Sequence, residues 1–418
     1  MDILPEVREI GARARAAARV TAAAPGEVRQ RALAAMPQAL RDVASALYEA
    51  NAADVAAAQT AGTEGPLLAR LRVTPKVFEY MCARLEEVAA LPDPVGRVLE
   101  GHTRPNGLQV SKISVPLGVI GIIYESRPNV TTDAAAVCLK SGNAVILRGG
   151  SEALRTNRVL AEAMATAAAG AGLPRDVIQL IAIPGHEGAS SLMRLTRDVD
   201  LIIPRGGKSL IRAVAEESRI PTLKHYEGIC HLYLAADAPE AMAVALAVNS
   251  KCQRVEVCNA LEKLLVDGAA ASRLLPPLAA AFAQHGVALR GCPRTRALLP
   301  HIDAATEDDW TAEYLAPILA VKVVDGVEAA IAHINAHGSG HTDGIVTASL
   351  AAADAFTRGV DSASVMVNAS TRLSGGGDYG LGAVVGISTD RLHARGPVGP
   401  AELATTKWIA RGNGHLRD

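Results

Sequence analysis

Aromatic residues are scarce in this chain. Phe, Trp and Tyr make up 3% of 418 residues, with three Phe and two Trp, so the core must be built mainly of Ala, Val, Leu and Ile. Net charge is nearly absent: 42 Lys and Arg face 43 Asp and Glu, a formal charge of -1. This balance excludes the broad basic footprint of a dedicated nucleic-acid binder and gives no attraction to an anionic membrane surface. A small local anion site remains compatible with it. No apolar run reaches the roughly 18 residues that a membrane helix needs. No Cys-x-x-Cys pair occurs among Cys82, Cys138, Cys230, Cys252, Cys258 and Cys292. Neither they nor the histidines make a zinc pattern, and no metal is expected. A chain this long folds without disulfides, so the thiols read as reduced and the protein as cytoplasmic. The start, with Asp2, Glu6, Arg8 and Glu9, lacks a secretory apolar segment. The glycines and prolines are scattered, which excludes low complexity, and there is no internal repeat.

What is present is an alternation of helices and buried strands. At roughly 150 residues per domain the length suggests two or three domains. Residues 1 to about 90 are rich in Ala, Arg and Glu, strong helix formers. Asn106-Gly107 before an extended run predicts a hairpin. The apolar, β-branched run from Val115 to Tyr124 reads as one strand buried on both faces. A polar loop, Glu125 to Asn129, precedes a helix capped near Thr131 to Asp133 and ending at Lys140. Strands follow at Ala144–Leu147, Val177–Ile183 and Leu201–Ile203, separated by helices and Gly-rich turns. A second such set begins at Cys230, with strands at 264–266, 319–324, 344–347 and 365–367. The last fifty residues read as irregular. Short apolar runs alternating with helices make parallel α/β sheets, whose ligands bind at the carboxyl ends of the strands.

Several segments suggest chemistry. Arg148-Gly149-Gly150-Ser151 joins a strand to a helix, so its amides, Arg and Ser suit a phosphate. Pro204 to Ser209 ends like a P-loop but lacks the required first Gly, which falls on Ile202. Gly375 to Gly380 matches the dinucleotide spacing, but no helix-like segment follows it. Cys258 follows a basic stretch with Lys251 and Arg254, cations that would favour a thiolate nucleophile. Cys252 has similar neighbours, and spacing does not choose between the two. Asn129 suits an oxyanion donor or a plain helix cap.

Four stretches together resemble the gamma-glutamyl phosphate reductase family, within the aldehyde dehydrogenase superfamily. They are VPLGVIGIIYESRPNVTTDAAAVCLKSGNAVILRGG (115–150), DLIIPRGG (200–207), NSKCQRVEVCNALEKLLV (249–266) and VNASTRLSGGGDYGLGAVVGISTDRLHARGPVG (367–399). The Ala-rich start and TTKWI (405–409) also fit, and the resemblance covers nearly the whole chain. It implies an α/β, aldehyde-dehydrogenase-like fold with two parallel-sheet α/β domains and a small β oligomerisation arm. The expected division is a cofactor domain over 1–228 with 100–115 as the oligomerisation hairpin. A catalytic domain over 229–368 follows, and then a C-terminal return to the cofactor domain over 369–418.

The resemblance implies NADPH-dependent reduction of L-glutamyl 5-phosphate to glutamate 5-semialdehyde in proline biosynthesis. It makes Cys258 the nucleophile and Asn129 the oxyanion donor. It assigns NADP(H) to Arg148, Gly149, Gly150, Ser151, Gly206, Gly207 and Glu313. Arg127, Arg254, Arg372 and Arg395 lie in the matched motifs as candidate substrate contacts. A homodimer or homotetramer is expected, with glutamate 5-kinase as a channelling partner. The chain departs from the family at 254–257, where Glu256 brings a negative charge close to Cys258, and at Pro400. Leu223-Lys224-His225-Tyr226-Glu227-Gly228-Ile229-Cys230 offers no match to the water-activating Glu stretch of hydrolytic relatives. The alternatives are another NAD(P)-dependent aldehyde dehydrogenase of the superfamily and an inactive scaffold with this fold.

Overall fold

The computed structural model describes residues 3–224 and 226–417; Asp2 and His225, both cited above, lie outside the described residues. Two compact units form, one from residues up to 224 with 380–386 and 397 onward, the other from the residues between 225 and 379 with 387–396.

The first unit begins with five helices, α1 (Pro5–Ala23), α2 (Gly26–Asp42), α3 (Ala44–Thr60), α4 (Gly65–Leu71) and α5 (Pro75–Ala90). Next come β1 (Val98–Thr103), β2 (Gln109–Pro116), β3 (Val119–Tyr124), α6 (Pro128–Lys140), β4 (Ala144–Arg148), α7 (Leu154–Gly170), β5 (Ile178–Leu180), α8 (Glu187–Leu192), β6 (Leu201–Arg205) and α9 (Lys208–Glu217). Strands β5-β4-β3-β6 form a four-stranded parallel sheet. Every residue of β3 and β4 is buried, as expected of strands covered by helices on both faces.

The run from Val115 to Tyr124 is two strands, not one. Gly118 breaks it with φ +131; its N–H donates to Asn143 Oδ1 at 2.7 Å, and the Val119 N–H donates to Asp200 Oδ2 at 2.8 Å. A side chain at Gly118 would meet Asp200 at 2.1 Å, so only glycine allows the turn. The break frees β2 to join an antiparallel sheet with β1 around Asn106-Gly107. The other neighbour of β2 is a late strand, Ala404–Arg411, inside the segment read as irregular. The expected strand at Val177–Ile183 is shorter, three residues of β5.

The second unit continues with β7 (Cys230–Leu234), α10 (Glu240–Cys252), β8 (Leu261–Asp267), α11 (Ala271–Gln284), β9 (Ala288–Gly291), α12 (Pro293–Leu298), β10 (Asp303–Ala304), α13 (Asp308–Thr311), β11 (Ile318–Val324), α14 (Gly326–His337), β12 (Thr342–Val346), α15 (Leu350–Gly359) and β13 (Ser364–Val367). Its seven-stranded parallel sheet runs β10-β9-β11-β8-β7-β12-β13. Leu, Val and Ala from β7, β8 and β11 pack with Leu274, Leu278 and Phe282 of α11. The short strands β14 (Gly386–Ser388) and β15 (Gly396–Val398) precede the arm strand, β16 (Ala404–Arg411). Two parallel-sheet units and an antiparallel arm are the architecture the sequence implied.

Candidate active site

Cys258 sits in the second unit, half-buried in the loop between α10 and β8. Its backbone lies directly against Gly228: a Cβ at Gly228 would fall 1.7 Å from the Cys258 carbonyl oxygen. The same carbonyl accepts from the Cys230 thiol at 3.2 Å. Burial holds the Cys230 pKa well above its ordinary value, so Cys230 stays a neutral donor. The Gly228 N–H donates to Glu313 Oε1 at 2.8 Å. Glu313 is therefore tied to the backbone that supports Cys258.

Arg372 lies within electrostatic reach of Cys258. Burial lowers the Arg372 pKa, Arg254 lowers it further, and the charge of Cys258 works in the opposite direction. Arg372 is held by Asn259 Oδ1 and by Gln253 Oε1 at 2.9 Å; Asn259 Nδ2 donates back to its carbonyl at 3.2 Å. Arg254 is exposed, within electrostatic reach of Arg372. Lys251, expected to favour the thiolate, is instead buried and 3.3 Å from Glu262 Oε2. Glu256 is exposed. Burial raises the pKa of Cys252, with Lys251 opposing. Arg395 donates to Asp361 Oδ1 at 2.7 Å and to the Asp361 carbonyl at 3.0 Å, so it is committed to an ion pair.

The first unit carries the other named residues at the carboxyl ends of its strands. The helix expected to begin near Thr131 begins at Pro128, whose fixed φ suits a first turn. Asn129 thus lies in the first turn of α6, and its Nδ2 donates to Asp133 Oδ2 at 3.2 Å. Burial raises the Asp133 pKa to about 6, against the hydrogen bond from Asn129. Arg127 is the exposed residue before α6.

At the end of β4, Arg148 turns inward and donates to the carbonyls of Gly149 and Gly185, and burial lowers its pKa. Its Nε is buried without a hydrogen-bond partner. Ser151 Oγ accepts from the Gly185 N–H at 3.2 Å. A Cβ at Gly149 would come 2.3 Å from Asn157 Nδ2 and 2.9 Å from the Tyr124 ring, so packing alone already requires that glycine. After β6, the Gly207 N–H donates to Glu125 Oε2 at 2.8 Å, and a Cβ at Gly206 would meet the Glu125 carboxyl at 2.6 Å. Sequence reasoning missed Glu125, which lies in a loop read only as polar.

The β4 turn has features that suit an anionic ligand: an inward Arg with one unpartnered nitrogen beside two glycines, at the carboxyl end of a strand, where such sheets bind ligands. At the end of β6 the Gly207 amide is instead taken by Glu125. The model of the aldehyde dehydrogenase family matches residues 5–309 and 304–380. The chain belongs to the aldehyde dehydrogenase family. It resembles gamma-glutamyl phosphate reductase from Thermotoga maritima at 40% identity and a TM-score of 0.97, over 99% of this chain and 100% of that one. The gamma-glutamyl phosphate reductase from Saccharomyces cerevisiae is 32% identical over 99% of each chain, with a TM-score of 0.55. An acetylating aldehyde dehydrogenase from Geobacillus thermoglucosidasius, 20% identical over 99% and 98% with a TM-score of 0.68, shares the fold. Among the described residues, no helix is long and apolar enough to cross a membrane.

Proposed function

We propose that this member of the family reduces L-glutamyl 5-phosphate to glutamate 5-semialdehyde with NADPH, in proline biosynthesis. The observation that carries the reading is the full-length likeness to gamma-glutamyl phosphate reductase at 40% identity, joined to a half-buried cysteine within electrostatic reach of an arginine.

In this reading the Cys258 thiolate attacks the acyl carbon and phosphate departs, leaving a thioester. Arg372 favours the thiolate and meets the anionic substrate. Asn129 donates its amide to the oxyanion, a contribution on the order of 3 kcal/mol; Asp133 holds that amide in the free enzyme. Arg148, Gly149, Gly150, Ser151, Gly206, Gly207 and Glu313 hold the cofactor. A nicotinamide cofactor held there would supply hydride for reduction of the thioester carbonyl. Cys258 then leaves as thiolate and frees the aldehyde. Arg127 and Arg254, both exposed, are further contacts for the substrate anion, whereas Arg395 serves the fold through Asp361.

The first unit is the cofactor unit and the second the catalytic one. The arm of β1, β2 and β16 leaves Val98, Leu99 and Trp408 exposed at 68%, 52% and 55%. Such apolar edges suit pairing with a second copy, in keeping with a homodimer or homotetramer. Six free thiols suit the cytoplasm, where glutamate 5-kinase would supply the acyl phosphate.

The test is aldehyde oxidation with NADP+ by the purified protein, with and without phosphate or arsenate. The reading expects turnover to depend on the anion. Equal rates without it would make the protein a hydrolytic aldehyde dehydrogenase.

A further inference from the structure

Beneath the Glu313 loop lies a cluster of buried charge that the proposed reaction does not use. Strand β8 pairs with β7 as Cys230 with Leu261 and then His231 with Lys263, so Glu262 is an extra, bulged residue. Bulges beside active sites re-aim side chains, and here two consecutive ones address the same loop. Lys263 Nζ donates to the Ala312 carbonyl at 2.6 Å. Glu262 Oε1 accepts from the Leu315 N–H at 3.3 Å. Both residues are fully buried.

The loop is thus gripped on either side of Glu313. Leu315 takes φ +50, a conformation uncommon outside glycine, with its side chain 42% exposed, so burial does not explain the strain. The Tyr314 ring faces Lys263 at 4.3 Å, Arg290 at 5.5 Å and Lys251 at 6.0 Å, and its hydroxyl donates to Asp309 at 2.6 Å. Buried charge is a poor source of stability, since apolar residues of similar volume often serve as well. Its distinctive effect here is to fix two backbone groups flanking one carboxylate.

We infer that Glu262 and Lys263 are positioning residues that set the place of Glu313 toward the nicotinamide cofactor. The inference rests on the reading of Glu313 as a cofactor contact.

The experiment is a fluorescence titration of the full-length enzyme with NADPH, alongside steady-state kinetics. For Lys263→Met the dissociation constant for NADPH should rise about tenfold, with the KM for the acyl phosphate within about twofold. Glu262→Gln should raise the NADPH constant about threefold, and it carries the test alone if Lys263→Met does not fold. Glu313→Gln is the reference and should raise the constant at least as much as Lys263→Met. If Glu313→Gln weakens NADPH while the other two bind it normally, the positioning role is wrong and the Glu313 reading stands. If Glu313→Gln binds NADPH normally, the Glu313 reading fails and the inference goes with it.

Discussion

Gly228 presses so closely on Cys258 that a methyl group on its Cα would fall 1.7 Å from the Cys258 carbonyl oxygen. Such a contact is met only by moving backbone. Gly228→Ala should therefore displace the Cys258 loop and lower turnover by roughly a hundredfold or more, as small misplacements of reacting groups do. The check is kcat together with the rate of Cys258 alkylation by iodoacetamide. Turnover within about threefold of the wild type would show that the loop tolerates the shift.

Arg372 brings a positive charge within electrostatic reach of Cys258. Arg372→Met should slow alkylation of Cys258 at neutral pH about tenfold and move its pH profile upward, because the thiolate loses its cation. KM for the acyl phosphate should rise as well. An unchanged alkylation profile would assign thiolate stabilisation elsewhere. Lys251→Met makes a useful contrast, since Lys251 is turned to Glu262 and should leave the profile in place.

The alternation of strands and helices was legible because buried parallel strands are unbroken apolar runs, as in β3 and β4. The break at Gly118 was not, because it depends on a side chain 82 residues away, Asp200, meeting the Val119 amide. The last strand was missed for a related reason. β16 is mostly exposed and owes its existence to pairing with β2, which no local pattern encodes. The site divides in the same way. Local spacing left Cys252 and Cys258 open, and nearest sequence neighbours suggested Lys251 and Arg254 as the cations. The fold instead buries Lys251 against Glu262 and brings Arg372 from a distant segment. Glu125, Gly228 and Cys230 were not singled out, since their roles are contacts made only on folding.

Buried His333 predicts an acid-sensitive fold. Burial, then His231 and Lys322, lower the His333 pKa to about 3, and Lys322 Nζ lies 3.2 Å from His333 Nδ1. The unfolded chain protonates this histidine near pH 6.5, so stability is full above that pH and falls as pH drops toward 3. The loss from this group should reach about 2 kcal/mol by pH 5. Urea unfolding at pH 7.5 and pH 5.0 reads it, and His333→Gln should flatten the difference. An equal difference in the variant would place the acid sensitivity on another group.

Arg148 bears on cofactor choice. It holds the Gly149 and Gly185 carbonyls next to the turn proposed for the adenosine ribose. Arg148→Met should raise KM for NADPH by about tenfold more than KM for NADH, because a 2′-phosphate needs a cation that a 2′-hydroxyl does not. Equal increases for both cofactors would limit Arg148 to shaping the turn.

Cys258 should carry the acyl group as a thioester. The direct measurement mixes the enzyme with L-glutamyl 5-phosphate without NADPH, quenches in acid, and maps the adduct by mass spectrometry. One glutamyl group should appear on the peptide containing Cys258, released by hydroxylamine and absent in Cys258→Ala. A glutamyl group on Cys252, or reduction of substrate by Cys258→Ala at the wild-type rate, would contradict it.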